Sequence, residues 1–180
     1  PAGTSIWLVD EELLRTMRRA GFYRLCFPIE SGSPGTQKFI RKPIQLDKVK
    51  EKIAIANRLG FWTQGNFIIG FPYETRDDVM RTIKFAYDSG LDYAIFFVAK
   101  PYLGAELFDI FRKEGLLKEI VHGSDLGRSD YDTKFLKASE INELHSMAVG
   151  GFMRHRVLSY LKPRNLVGQL LPKLRTPDDW

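Results

Sequence analysis

The stretch Gly60-Phe61-Trp62-Thr63-Gln64-Gly65-Asn66-Phe67-Ile68-Ile69-Gly70-Phe71-Pro72 decides the fold, because a short, uncharged, largely apolar run is bracketed by glycines. Such a run reads as a strand covered on both faces, the condition of a parallel sheet. On its upstream side Asp47 is an expected N-cap, and Val49, Ile53, Ala56 and Leu59 share one face of a helix that Gly60 closes. On its downstream side Thr75-Arg76-Asp77-Asp78 reads as a capping box, and Val79, Ile83 and Ala86 face inward until Gly90.

The same grammar recurs outward in both directions. Asp10 caps a helix whose first-turn Glu11 and Glu12 suit its positive end, and Leu13, Leu14, Met17 and Ala20 form a stripe before Gly21. A strand is predicted over 23–29. Ser33-Pro34 supplies an N-cap and N1 proline for a short helix through Ile40, stopped near Lys42-Pro43. A third apolar run covers 93–99, followed by a helix over about 105–114 and Gly115. Strands alternating with helices in this way specify an α/β fold with parallel strands and right-handed crossovers. After Gly115 the pattern changes. Residues 122–137 are polar and turn-rich, and Ser139 opens a long helical pattern through Ile141, Leu144, Ala148 and Phe152 to about Leu161, with an interruption expected at Gly150-Gly151. The division read from this is 1–117 for the strand-helix units and 118–180 for a loop and helical extension.

Composition excludes several classes. At 180 residues one domain could bury roughly 70% of its unfolded surface, and no uncharged apolar run of about 18 residues predicts a membrane span. The single cysteine, Cys26, rules out an internal disulfide, and with no secretory pattern at the start the expected setting is cytoplasmic. The net charge is +5, of which +4 lies in 151–180, so the basic character marks the tail rather than a nucleic-acid surface. Within that tail Phe152, Val157, Leu158, Leu161, Leu166, Leu170 and Leu171 offer apolar area for packing on the strand-helix units or on a membrane surface.

In parallel α/β folds ligands sit at the carboxyl ends of the strands. The segments there are Ile29-Glu30-Ser31-Gly32-Ser33, then Gly65-Asn66-Phe67-Ile68-Ile69-Gly70-Phe71-Pro72-Tyr73-Glu74-Thr75, then Lys100-Pro101-Tyr102-Leu103-Gly104-Ala105-Glu106-Leu107. These three strings, in this order over about 8–117, are similar to those of radical S-adenosylmethionine (SAM) proteins, especially the cobalamin-associated branch. The resemblance implies a half TIM-like barrel of about three parallel strands with outer helices and a C-terminal helical extension. It also implies a missing N-terminal half, S-adenosylmethionine as cofactor, and a 4Fe-4S cluster whose ligands lie outside this chain. Cobalamin in the full-length protein is left open. Glu30 and Ser31 match the polar pair that bonds the ribose and nearby polar groups. Lys42 lies where a basic residue faces the methionine carboxylate, with Arg41 as its neighbour and alternative. Gly65, Ile68 and Gly70 match the adenine-packing motif, and Val98 and Ala99 match an edge that bonds adenine through backbone. The implied activity of the intact enzyme is reductive cleavage of S-adenosylmethionine to a 5′-deoxyadenosyl radical, with this segment alone inactive. Pro28, Tyr73, Leu103 and Ala105 depart from the pattern.

Plainer roles stand beside these. Glu30 could cap the next helix with Ser31 and Ser33, Gly65 could mark a bulge or close helix packing, and Glu74 suits the dipole of the following helix. Cys26 between Leu25 and Phe27 reads as a small buried residue. His122, His145 and His155 lack metal-ligand spacing, so no catalytic or metal residue is assigned. A different α/β nucleotide-binding enzyme and a non-catalytic scaffold remain as other classes. An open sheet edge should favour self-association.

Overall fold

The computed structural model describes residues 3–42, 44–117 and 125–174. The expectations resting on Pro43, His122, the 117/118 division, Arg175, Asp178 and Asp179 lie outside the described residues. In chain order the elements are α1 (Glu11–Arg19), β1 (Arg24–Glu30), α2 (Pro34–Phe39), α3 (Leu46–Arg58), β2 (Trp62–Ile69), α4 (Arg76–Asp88), β3 (Tyr93–Val98), α5 (Glu106–Lys113) and α6 (Ala138–Tyr160). Three helical turns follow, Pro163–Asn165, Leu166–Leu170 and Leu171–Lys173.

The strands form one open parallel sheet in the order β1-β2-β3, with Leu25 opposite Thr63 and Phe67 opposite Phe96. Their alternation separates two faces. Leu25, Phe27 and Ile29 of β1 share one face with Phe67 and Ile69 of β2 and Phe96 and Val98 of β3, all buried with Val49, Ile53, Ala56, Val79, Ile83 and Ala86 from the helices. The other face carries Arg24, Cys26, Gln64, Asn66, Ile68, Tyr93, Ile95 and Phe97 at the intervening positions. It is partly polar: Arg24 donates to Gln64 Oε1, and Gln64 Nε2 donates to Asn66 Oδ1 at 2.8 Å.

The caps follow the sequence in three places. Asp10 accepts from the Leu13 amide, Ser33 from the Thr36 amide, and Thr75 with Asp78 forms the reciprocal box. Asp47 is a correction. The cap position of α3 is Gln45, and Asp47 stands inside the first turn, where a carboxylate still meets the positive helix end. Gly150-Gly151 is a second. α6 passes through both, because Gly151 leaves room for the Tyr87 side chain, whose hydroxyl lies 3.1 Å from Met147 O and 3.2 Å from Ala148 O. Gly65 marks close packing, since a Cβ there would meet Leu91 and Phe67, and the register shift falls instead between Pro28 and Glu30.

The extension packs on the strand-helix units. α6 covers β3 and α4 with Ile141, Leu144, Ala148 and Phe152, and the turns after it lie against α3. Lys173 is anchored beneath the strand starts. Its Nζ lies 2.6 and 2.5 Å from the Asp92 carboxylate oxygens and 2.8 Å from Asn57 Oδ1, while Arg156 Nη2 reaches Asp92 Oδ1 at 2.9 Å. Tyr160 donates to the same carboxylate, and the Thr63 amide does so at 2.7 Å.

Candidate functional site

The tips of β1, β2 and β3 end side by side at one end of the sheet, as parallel pairing demands. Glu30 pairs with Phe67, Ile69 with Val98, and the Ala99 amide donates to Ile69 O at 2.8 Å. Glu30 itself has φ 69, and Arg41 has φ 56. A left-handed backbone costs energy for a residue with a Cβ, so the surroundings must hold it. Gln37 supplies much of that hold at Glu30: buried on α2, its Nε2 donates to Ile29 O at 2.7 Å and to Ser31 O at 2.5 Å, on either side of the turn.

Gly32 follows because α4 crosses there. A Cβ at this position would lie 2.6 Å from Phe85 Cβ and 2.8 Å from Arg81 O, distances a side chain cannot adopt. Ser31 is buried under the same crossing, its hydroxyl 2.9 Å from Thr82 Oγ1 and accepting from the Ser33 amide at 3.0 Å. Ser33 in turn donates to Asp78 at 2.7 Å. This polar seam ties the β1 tip to the start of α4.

Glu30 and Lys42 meet. Lys42 Nζ donates to Glu30 Oε1 at 2.8 Å and to Pro28 O at 2.6 Å, and it lies 5.6 Å from the Trp7 ring centroid. Both side chains keep 21% of their surface exposed, enough for a ligand to reach them. Arg41, the alternative cation, pairs with Glu106 of α5 in solvent. Ile68 stands on the open face of the sheet by strand alternation, next to Phe97.

The β2 tip is built on Glu74. Its carboxylate accepts from the Gly70 amide at 2.8 Å, the Phe71 amide at 3.0 Å and Thr36 Oγ1 at 3.0 Å, and the residue is 1% exposed. Burial pushes its carboxyl from 4.5 up to about 7, against the opposing pull of these three donors. Gly70, at φ 84, can make the turn that presents both amides. The helix-dipole role expected for Glu74 is therefore replaced by a buried bridge between β2 and α2. Phe39 of α2 packs edge-on against Phe71 and Tyr73, and the Tyr73 hydroxyl donates to Glu114 at 2.9 Å. Tyr73 thus joins the tip to the end of α5.

The β3 tip leads into Lys100, whose Nζ donates to Arg128 O at 2.6 Å and lies 3.5 Å from Asp130, holding the 125–137 loop beside the sheet. The Val98 amide donates to Leu126 O at 2.6 Å.

Of the eight residues expected at the site, Glu30, Lys42, Ile68, Gly70 and Ala99 come together around the tips. The other three are engaged within the fold. Ser31 is consumed by Thr82 and the Ser33 amide, Gly65 faces the helices, and the Val98 side chain lies in the core with its amide already donated. Gln37 and Thr82 are the residues that sequence reading missed, and Glu74 has a different role from the one expected. As single polar residues within helices, Gln37 and Thr82 carry no signal that surface residues do not share.

Comparison with known proteins gives this geometry a family. Residues 3–86, from ahead of α1 to the inner residues of α4, match the Radical SAM superfamily. Residues 3–86 belong to the Radical SAM superfamily. The chain is 37% identical over 116 residues to an uncharacterized methyltransferase of Pyrococcus horikoshii, an alignment taking in 64% of the chain and 25% of that protein. It is 36% identical over 124 residues to the cytidylyl-2-hydroxyethylphosphonate methyltransferase of Streptomyces wedmorensis, covering 65% of the chain and 23% of that protein. The chain spans about a quarter of the length of these relatives. Among solved structures, the radical SAM enzyme coproporphyrinogen III oxidase (HemN) of Escherichia coli matches with a TM-score of 0.60 at 16% identity, covering 85% of this chain and 31% of that one. That likeness is one of fold.

The Radical SAM match over residues 3–86 implies S-adenosylmethionine and an iron-sulfur cluster. The residues present do not fit the cluster. Cys26 is buried and its thiol is pushed up by burial, and among the described residues no group of three or more His, Cys, Asp or Glu side chains could hold a metal ion. The tip residues do fit an adenosyl ligand: a carboxylate 21% exposed, an ammonium beside it, and the apolar Ile68 on the open face of the neighbouring strand.

Proposed function

We propose that this chain supplies part of the S-adenosylmethionine pocket of a radical SAM enzyme. The observation that carries this reading is the adjacency of Glu30 and Lys42 at the β1 tip, one strand away from Ile68 and Gly70. The Glu30 carboxylate can accept from both ribose hydroxyls. Lys42 spends two of its three N–H groups on Pro28 O and Glu30, leaving one for the methionine carboxylate. Ile68 would pack against adenine, a contact of about 1–2 kcal/mol by area. The turn at Gly70 keeps backbone clear of the ring. The Ala99 amide is already used within the sheet, so the β3 tip offers an acceptor, its carbonyl, to the adenine amino group.

For the whole protein this reading implies reductive cleavage of S-adenosylmethionine to a 5′-deoxyadenosyl radical, with the cluster ligated outside this chain. The 180-residue chain would not turn over by itself. Cobalamin use is a further part of the proposal, motivated by the three-motif resemblance. The names of the two methyltransferases favour methyl transfer as the reaction class.

Calorimetric titration tests the reading. S-adenosylhomocysteine should bind, ATP should not, and Glu30→Gln and Lys42→Ala should each weaken binding by about tenfold or more, the worth of one charge-assisted hydrogen bond. ATP binding would favour a different nucleotide enzyme, and binding of neither ligand would favour a scaffold. The missing barrel half should pair with β1, whose outer edge carries the bond from the Thr4 amide to Cys26 O at 2.6 Å. Self-association through this edge is expected in its absence. Light scattering that gave a monomer at all concentrations would refute that part.

A further inference from the structure

We propose that the outer face of α6 and the turns after it dock on an anionic lipid surface. A helix that packs on a core by one face normally presents charge on the other. α6 obeys this in its first turns, where Glu143 is exposed and Glu140 is half-buried. Beyond them it does not. Val149, Met153, Val157 and Leu161 recur at four-residue spacing opposite the buried Ile141, Leu144, Ala148 and Phe152, with exposures of 46%, 51%, 58% and 74%. The second half of the helix therefore carries an apolar stripe on each side, and its outer stripe stays exposed among the described residues.

Charge selects the occupant. From Ser146 to Leu174 the sequence contains no aspartate or glutamate. Of the five basic side chains in that span, Arg156 and Lys173 are spent on the buried Asp92 carboxylate. The other three, Arg154, Lys162 and Arg164, are exposed beside the stripe. A second copy of the face would set cation against cation. The headgroup layer of a bilayer containing acidic lipids supplies both an apolar boundary for the stripe and negative charge for the flanking bases. Among the described residues no helix is long and apolar enough to cross a membrane, so the element lies on the surface.

Co-sedimentation of the 180-residue chain with vesicles provides the test. Phosphatidylcholine vesicles containing phosphatidylglycerol should pellet the chain about tenfold more efficiently than phosphatidylcholine alone, and raised salt should erase the difference. Met153→Glu with Val157→Glu should abolish binding while circular dichroism stays that of the parent, since both side chains are more than half exposed. Binding that ignores lipid charge, binding that survives the double substitution, or no binding at all overturns the proposal. Dimerisation that the double substitution abolishes, without vesicle binding, would assign the face to a second copy instead.

Discussion

Replacing Asp92 by asparagine should lower the unfolding free energy by about 3–5 kcal/mol, the cost of breaking a buried ion pair by removing one partner. The substitution keeps the size of the side chain and removes its charge. It leaves the Lys173 side chain, 0% exposed, and Arg156, 6% exposed, without a counter-charge. The Tyr160 hydroxyl and Thr63 amide would have to share a weaker acceptor. Against a total stability of about 5–15 kcal/mol for a domain, this is enough to release the turns after α6 or to unfold the chain. Urea unfolding followed by circular dichroism reads the difference, and a loss below about 1 kcal/mol would show that the cluster contributes little. The carboxyl has a pH signature. Burial tends to raise it, but Lys173, Tyr160 and the Thr63 amide outweigh that and hold it below its ordinary 3.8. A group lowered in the folded state contributes stability above its unfolded value and loses it as pH falls, so this contribution disappears only on acidification below that value.

Glu74 should behave in the opposite sense. Its folded carboxyl titrates at about 7 and its unfolded one at 4.5, so the native state binds the proton more tightly. Stability from this group is fully present below the unfolded value and falls as pH rises to about 7, by about 3 kcal/mol over that window. Glu74→Gln should remove the slope. The amide oxygen can still accept from Gly70 and Phe71, and its NH2 can donate to Thr36, so the variant should match the parent near pH 4.5 and exceed it above 7. Glu74→Ala should be destabilised at every pH by at least about 2 kcal/mol, because two buried amides lose their acceptor. Subtracting the variant's pH profile from the parent's isolates this one group. Equal profiles for parent and glutamine variant between pH 5 and 8 would contradict the bridge.

The parallel order of the strands was legible because each apolar run is separated from the next by a capped helix, and the reciprocal box at Thr75 and Asp78 could be read from spacing alone. Local signals failed where distant residues decide. An acidic residue just ahead of a helix looks like a dipole partner, and only Thr36, 38 residues earlier, together with the folded-back Gly70 turn, makes Glu74 a buried bridge. Lys173 counts in the sequence as one more base of the tail, yet its partner Asp92 lies 81 residues upstream. Gly150-Gly151 has the composition of a helix break, and the packing of Tyr87 against Gly151 overrides it. At the candidate site, the positions of Glu30, Lys42, Ile68, Gly70 and Ala99 near the strand tips follow from where the apolar runs end. It could not show that α4 crosses Gly32 and takes Ser31 into the interior.

The claim on which the functional account rests is that the three strand tips form one side of an adenosyl pocket. Amide chemical shifts of the isotope-labelled chain, followed during titration with S-adenosylhomocysteine, test it residue by residue. Changes are expected at Glu30, Lys42, Ile68, Gly70 and Ala99, with Leu25, Phe61 and Asp92 at the opposite end of the sheet unmoved. Changes confined to the Asp92 end, or none at saturating ligand, would contradict it.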